Sequence, residues 1–116
     1  MKRGDIFLAS AGARAGTGYA GKPRPVIIVQ ADALSSLTSV LVVPLTTSGP
    51  ITPYLRVEIK AGEDTGLVEV SRAMVDKVVA IPTSKLGPRL GELDPTTMRA
   101  INRGLATVLG LGQRLR

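Results

Sequence analysis

Arg24 is the residue whose position points most clearly to chemistry, because it lies between Pro23 and Pro25, directly before the apolar run 26–29. The two prolines fix φ on either side of the arginine and remove two backbone donors, so the guanidinium is carried on a stiff, extended segment. Arginine stays charged at physiological pH and matches the geometry of a phosphate or carboxylate. The position predicts an anion site, and a solvated arginine beside a proline turn stays open as the alternative.

Three hydroxyl side chains, Thr46, Thr47 and Ser48, follow the apolar run 40–45. Hydroxyl groups at such a strand end can donate to phosphate oxygens, as Ser and Thr do in many nucleic-acid contacts. The competing interpretation is ordinary turn chemistry, since Thr, Ser, Gly and Pro are the residues that a loop after a strand requires. Thr46 is therefore the second candidate site residue.

Ser71 and Arg72 lie between two predicted strands and can add a second cation near Arg24. The carboxylates suggest less, because no pair of them is spaced for acid/base work or for a magnesium ion. A structural role in a turn, at a helix start or on an exposed strand face is available to each of four acidic residues: Asp5, Glu69, Asp76 and Asp94.

The composition narrows the chemistry further, because the 116 residues include neither cysteine nor histidine. Structural zinc sites, thiol nucleophiles and imidazole acid/base catalysis are thereby excluded. Fifteen basic against nine acidic side chains give a net charge of +6, which favours a polyanionic partner such as nucleic acid or an acidic polypeptide. A merely basic surface is the alternative. Phe7, Tyr19 and Tyr54 are the only aromatic residues, so a sheet that stacks several bases is disfavoured.

Size and patterning predict one domain spanning residues 1–116. The apolar segment near the N-terminus is too short for a signal peptide, and no stretch is long enough to span a membrane. The absence of cysteine suits a reducing compartment. We therefore expect a soluble, cytoplasmic protein.

The elements that must position the candidate residues are short strands separated by Gly/Pro turns. We predict strands at residues 6–9, 26–30, 40–45, 54–60, 67–70 and 75–81, with 54–60 alternating between an apolar and a charged face. Residues 10–22 are predicted to form a loop. The sheet is expected to be mostly antiparallel.

A C-terminal helix is predicted to begin at Asp94 and Pro95, a carboxylate cap followed by a proline where its missing donor is harmless. Apolar residues at helical spacing form its packing face: Met98, Ile101, Leu105, Val108 and Leu109. Gly104 is expected to weaken its middle by about 1 kcal/mol relative to alanine, and Gly110 and Gly112 to end it. These elements predict a small antiparallel barrel or strongly curved sheet with one terminal helix.

Several segments, taken in order, carry a family resemblance: residues 3–6 (RGDI), 21–29 (GKPRPVIIV), 42–46 (VVPLT), 66–67 (GL), 74–78 (MVDKV), 81–82 (IP), 86–87 (LG) and 93–94 (LD). Their order and spacing resemble the MazF/PemK family of toxin endoribonucleases over nearly the whole chain. The resemblance implies a mainly β fold, a small SH3-like antiparallel barrel with a C-terminal helix. It also implies a homodimer inhibited by a cognate antitoxin with an acidic C-terminal segment.

The resemblance further implies cleavage of single-stranded RNA at short sequences, without a metal or other cofactor, leaving a cyclic phosphate and a 5′-hydroxyl. The catalytic arginine and threonine of the family correspond to Arg24 and Thr46. The histidine or carboxylate that serves other members in acid/base chemistry has no clear counterpart, so the base is unassigned. The candidate RNA contacts are Tyr19, Lys22, Thr47, Ser48, Ser71 and Arg72.

Two other functions remain open on the same fold. One is a gyrase-directed toxin like the related CcdB group, for which a phosphate-oriented pair such as Arg24 and Thr46 has no use. The other is a non-catalytic basic RNA-binding module, which predicts salt-sensitive binding without cleavage.

Overall fold

Seven strands and one C-terminal helix make up the regular structure of the computed structural model, which describes residues 1–10 and 22–112. Tyr19, one of the candidate RNA contacts, lies outside the described residues. The elements are β1 (Asp5–Ala9), β2 (Arg24–Ile28), β3 (Ser39–Thr46), β4 (Arg56–Ile59), β5 (Ser71–Met74), β6 (Val79–Pro82), β7 (Leu86–Glu92) and α1 (Pro95–Leu109).

All strand pairs are antiparallel, and the strand order is β4-β5-β3-β2-β1-β7. The long strand β3 has two neighbours on the side away from β2, because its first half pairs with β6 and its last two residues pair with β5. The predicted class, a mainly antiparallel β fold with one C-terminal helix, is confirmed. Over the described residues the sheet is not closed, since β4 and β7 end it without pairing with each other.

Strict alternation along the strands divides the apolar residues into two clusters on opposite faces. The larger cluster lies on the face that α1 covers and includes Ile27, Val43, Leu45 and Ile59. The second cluster, on the other face, is formed by Ala9, Val26, Ile28, Val40, Val42 and Ile81. Neighbouring residues of one strand therefore serve different cores.

The helix begins as predicted, because Asp94 Oδ1 accepts a hydrogen bond of 2.7 Å from the backbone N–H of Thr97. It ends at Gly110, which has a left-handed φ of 75°. Ile101 and Leu105 are buried against the sheet, whereas the last turn of the predicted apolar stripe, Val108 and Leu109, is exposed.

The sequence suggested only that Gly104 weakens the helix, but the structure shows a second role for this glycine. A Cβ at this position would lie 2.2 Å from the carbonyl oxygen of Tyr54 and 3.0 Å from Cγ1 of Val75. The helix can approach the segment before β4 this closely because residue 104 has no side chain. The glycine is thus required for packing.

Two strand predictions are wrong in position, and one strand was not predicted. Residues 67–70 form no strand, because Gly66 adopts a φ of 74° and Leu67 closes a turn through a bridge to Gly62. The returning strand is β5, a few residues later. Residues 75–77 form a 3-10 turn before β6, and β7 was not predicted at all because Gly87, Pro88 and Gly91 resemble turn residues.

None of the helices in the described part of the chain is long and apolar enough to cross a bilayer.

Candidate active site

Arg24 is the first residue of β2, where it pairs with Ala9 of β1 and is half-buried. The sequence placed it before the strand, and the structure includes it in the strand. Its Cα position is therefore fixed by the sheet, on a central strand between β1 and β3. A cation mounted on a rigid element is held more accurately than one on a loop.

The register of β2 and β3 brings Arg24 and Thr46 together. Val26 pairs with Pro44 and Ile28 with Val42, so continuing this register by two residues places Arg24 opposite Thr46, the last residue of β3. Residues directly opposite in an antiparallel pair point to the same face of the sheet. The last pair between the two strands is Val26 with Pro44, so the two residues predicted to be catalytic each lie two residues beyond it, at neighbouring ends of adjacent strands.

The same line continues across the next two strands. Thr46 pairs with Arg72 of β5, and Arg72 pairs with Glu58 of β4. We call Arg24, Thr46, Arg72 and Glu58 the cross-strand row. It lies on the face of the second apolar cluster, opposite α1, because these residues alternate with members of the larger cluster.

The Thr46 hydroxyl is oriented by the turn that follows it. Its Oγ1 accepts a hydrogen bond of 3.3 Å from the backbone N–H of Ser48 and lies 3.2 Å from Ser48 Oγ. Either oxygen can be the donor in the contact between the two hydroxyls, so the Thr46 hydrogen is available to another acceptor when Ser48 donates. The sequence posed turn chemistry and phosphate binding as alternatives, and this geometry is compatible with both at once.

Arg72 ties the strand end to the loop after β3. Its Nη1 donates to the carbonyl oxygen of Thr47 at 3.2 Å. Its Nε is buried and has no hydrogen-bond partner among the described residues. A buried donor without a partner costs about 1–3 kcal/mol, so an acceptor brought to this position by a ligand would be stabilised.

The other predicted RNA contacts are placed differently from one another. Thr47, Ser48 and Lys22 are exposed. Thr47 and Ser48 directly follow Thr46, and Lys22 lies two positions before Arg24. Ser71 is buried, and its hydroxyl donates to the carbonyl oxygen of Glu69 at 3.1 Å. The structure therefore brings Arg72 to the row, whereas Ser71 alternates to the other side of β5.

Two carboxylates already have partners elsewhere. Asp76 is paired with Arg56, and this hydrogen bond holds the pKa of Asp76 below its ordinary value of 3.8, against a smaller opposing effect of desolvation. Asp5, for which the sequence suggested a turn role, is buried in β1. It accepts hydrogen bonds from the N–H of Lys2 and from Arg89.

Glu58 is the member of the row that sequence reasoning missed. The sequence placed it on the charged face of a strand, which the structure confirms, but nothing there indicated its neighbour. The pairing of Glu58 with Arg72 depends on where β5 begins, and that strand was predicted several residues too early.

A separate concave surface lies along the outer side of α1. It has a volume of about 630 Å³ and is lined by Pro53, Tyr54, Arg99, Ala100, Asn102 and Arg103. The guanidinium of Arg103 lies 5.6 Å from the centre of the Tyr54 ring. None of the predicted site residues in the described part of the chain lines this surface.

Comparison with known proteins shows similarity over nearly the whole chain. Residues 2–109 match the family described as PemK-like, MazF-like toxin of type II toxin-antitoxin system. The chain is 45% identical over 111 residues to a probable endoribonuclease MazF from Mycolicibacterium smegmatis, covering 96% of this chain and 98% of that protein.

Solved structures agree with the fold. One is an endoribonuclease in complex with its cognate antitoxin from a mycobacterial species, with a TM-score of 0.74, 28% identity and 96% of each chain covered. A MazE–MazF structure from Deinococcus radiodurans has a TM-score of 0.77 at 18% identity, with 97% of each chain covered, and supports the fold alone.

Proposed function

The chain belongs to the PemK-like, MazF-like family of type II toxin endoribonucleases, and from this premise we propose that it cleaves single-stranded RNA through the Arg24–Thr46 pair. The observation that supports the proposal is the strand register: Arg24 begins β2 and Thr46 ends β3, each two residues beyond the pair of Val26 and Pro44, so a guanidinium and a hydroxyl lie at neighbouring ends of two adjacent central strands. Both groups are donors, and both suit the oxygens of a phosphodiester.

RNA supplies its own nucleophile, the 2′-hydroxyl beside the scissile phosphate. Attack on phosphorus builds negative charge on the non-bridging oxygens. Arg24 stabilises that charge, and the Thr46 hydroxyl orients the phosphate so that the 2′-oxygen lies in line with the departing 5′-oxygen. The products are a cyclic phosphate and a 5′-hydroxyl, and the step requires no metal-bound water.

Arg72 extends the phosphate site along the row. Its unsatisfied Nε and its position opposite Thr46 suit a second contact to the RNA backbone. The exposed hydroxyls of Thr47 and Ser48 and the ammonium group of Lys22 border the same strand ends. The net charge of +6 draws a polyanion to the protein as a whole.

The proposal includes partners. A structurally similar chain at 28% identity forms a complex with its cognate antitoxin. We propose that this chain is likewise bound by a cognate antitoxin, through an acidic segment of that partner. A basic protein of this charge suits such a segment. The proposal also includes that the protein acts as a homodimer in the cytoplasm.

The test is incubation of the purified chain with a long messenger RNA in excess EDTA. Discrete fragments ending in a cyclic phosphate are expected, and a folded Arg24→Ala variant should lose cleavage by about 10²- to 10³-fold. Circular dichroism and a melting curve check that the variant is folded. Retained cleavage by folded Arg24→Ala would remove Arg24 from the mechanism.

Two control reactions address the rival functions. Gyrase inhibition without RNA fragments would favour a gyrase-directed toxin. Salt-sensitive RNA binding without fragments would favour a non-catalytic binding module.

A further inference from the structure

The proposed reaction leaves one role unfilled, the acceptor of the 2′-hydroxyl proton. A guanidinium is fully protonated at neutral pH, and an alcohol hydroxyl is a very weak base, so neither Arg24 nor Thr46 suits this role. With no histidine in the sequence, carboxylates are the proton acceptors at hand. The question is which carboxylate the fold brings to the row.

Three of the acidic residues are held by partners outside the row. Asp76 is paired with Arg56, and Asp5 is buried with Arg89. Asp94 caps the helix. Glu58, in contrast, is exposed on β4, directly opposite Arg72, and forms no ion pair with any described residue.

The distance to the reacting phosphate is compatible with proton transfer. Adjacent strands lie about 4.8 Å apart, so the Cα atoms of Glu58 and Thr46, separated by one strand, are about 10 Å apart. The glutamate side chain and the ribose beside a phosphate on Thr46 can span this gap from its two ends. Arg72, the intervening residue, is turned toward the loop after β3 by its bond to Thr47.

We propose that Glu58 is the general base of the cleavage reaction, an inference that rests on the proposed function. The 2′-hydroxyl gives its proton to a carboxylate oxygen of Glu58 while the 2′-oxygen bonds to phosphorus. The bond between phosphorus and the 5′-oxygen breaks, and the 5′-oxygen keeps the electron pair and takes a proton from water. Glu58 then releases its proton to solvent. The charged groups around the carboxylate are Arg72 on β5 and Arg56 and Lys60 on β4.

The experiment measures single-turnover cleavage of a short RNA spanning a mapped cut, as a function of pH. Glu58→Gln should slow cleavage by about 10²- to 10⁴-fold and remove the rise of the rate with pH on the acidic side. Glu58→Asp should recover part of the rate. Binding of an RNA with a 2′-deoxy nucleotide at the cut should stay within about threefold of the wild type, because proton abstraction contributes little to ground-state binding.

The matched control is Glu69→Gln, which removes an exposed carboxylate outside the row and should leave the rate and its pH profile unchanged. The inference is overturned if folded Glu58→Gln cleaves with the wild-type rate and pH profile. It is also overturned if weaker RNA binding accounts for the whole loss of cleavage rate in this variant. The wild-type reaction reports separately on the proposed function, because absence of cleavage there overturns it whatever Glu58 does.

Discussion

The two faces of the sheet are built from the same strands and yet have opposite characters. On the face under α1, Leu45 and Ala73 are buried and pair with each other. One residue along each of the same strands, Thr46 and Arg72 form the next pair on the other face. The buried apolar residue fixes the position of the strand, and the adjacent polar residue is therefore held in a fixed position as well. This arrangement explains how a domain without histidine or cysteine, whose described residues form only one layer of helix, can hold a rigid polar site.

The helix face tolerates change differently from the row. Its stability depends on close contact, such as that of Gly104 with the Tyr54 carbonyl. The residues of the row are partly or fully exposed, so their removal should affect chemistry more than folding. Mutations on the two faces should therefore separate activity from stability.

The largest separation is expected for Thr46→Val, which keeps the shape of the side chain and removes its hydroxyl. Cleavage should fall by about 10²-fold because one donor to the transition state is lost. The melting temperature should change little, since the hydroxyl makes only local bonds to Ser48. Single-turnover rates and a melting curve measure the two effects. A large loss of stability with normal cleavage would contradict the division between the faces.

The reverse pattern is expected for Gly104→Ala on the helix face. The added Cβ must displace the Tyr54 carbonyl or the helix, which should lower the free energy of unfolding by about 1–3 kcal/mol. Urea denaturation measures this loss, and Thr107→Ala on the exposed side of α1 is the control. A stabilised protein would show that helix propensity outweighs the close contact.

A smaller effect on binding is expected for Arg72→Gln. Affinity for an uncleavable single-stranded RNA should fall to a similar degree for every sequence tested, and the dependence of log K on log salt should become shallower by about one contact. Titrations at several salt concentrations provide the measurement, with Lys85→Gln as the control. Loss of preference for one RNA sequence instead would assign Arg72 to base recognition.

The smallest effect concerns the Arg56–Asp76 pair. Because its folded pKa is lowered, Asp76 contributes stability above its ordinary pKa of 3.8 and loses that contribution as pH falls through the lower folded value. The contribution should be below about 1 kcal/mol, since the pair is partly exposed. Unfolding of wild type and Asp76→Asn at pH 7 and at pH 2.5 tests this. A difference between the two proteins that grows toward low pH would contradict the sign.

How far the sequence anticipated the structure differs between local and long-range features. β1 and the start of α1 follow from local patterns, and so does the selection of Arg24 and Thr46. The position of β5 does not follow from local patterns. Gly66 has a positive φ, and residues 62–67 form a turn closed by a bridge between Gly62 and Leu67, which strand propensity alone does not predict. Glu58 was missed for the same reason, since its place depends on a pairing between separate segments.

The glycines of β7 show a second limit. Gly91 and Gly87 suggest a turn when read locally, but a Cβ at Gly91 would lie 2.2 Å from the carbonyl oxygen of Asp64. The residue is glycine because another segment passes close to it. Such tertiary contacts override local propensity and cannot be read from neighbouring residues.

The most direct test of the account is a double-mutant cycle between Arg24 and Thr46 in single-turnover RNA cleavage, beside a reference cycle between Arg24 and Arg103 on the helix face. If Arg24 and Thr46 act on one phosphate, Arg24→Ala combined with Thr46→Val should lose little more than the more damaging single change. Arg103→Ala should leave the rate unchanged, both in the otherwise wild-type protein and in the Arg24→Ala background. Losses at Arg24 and Thr46 that simply multiply would contradict the account, because they would place the two residues on separate steps or separate groups of the RNA.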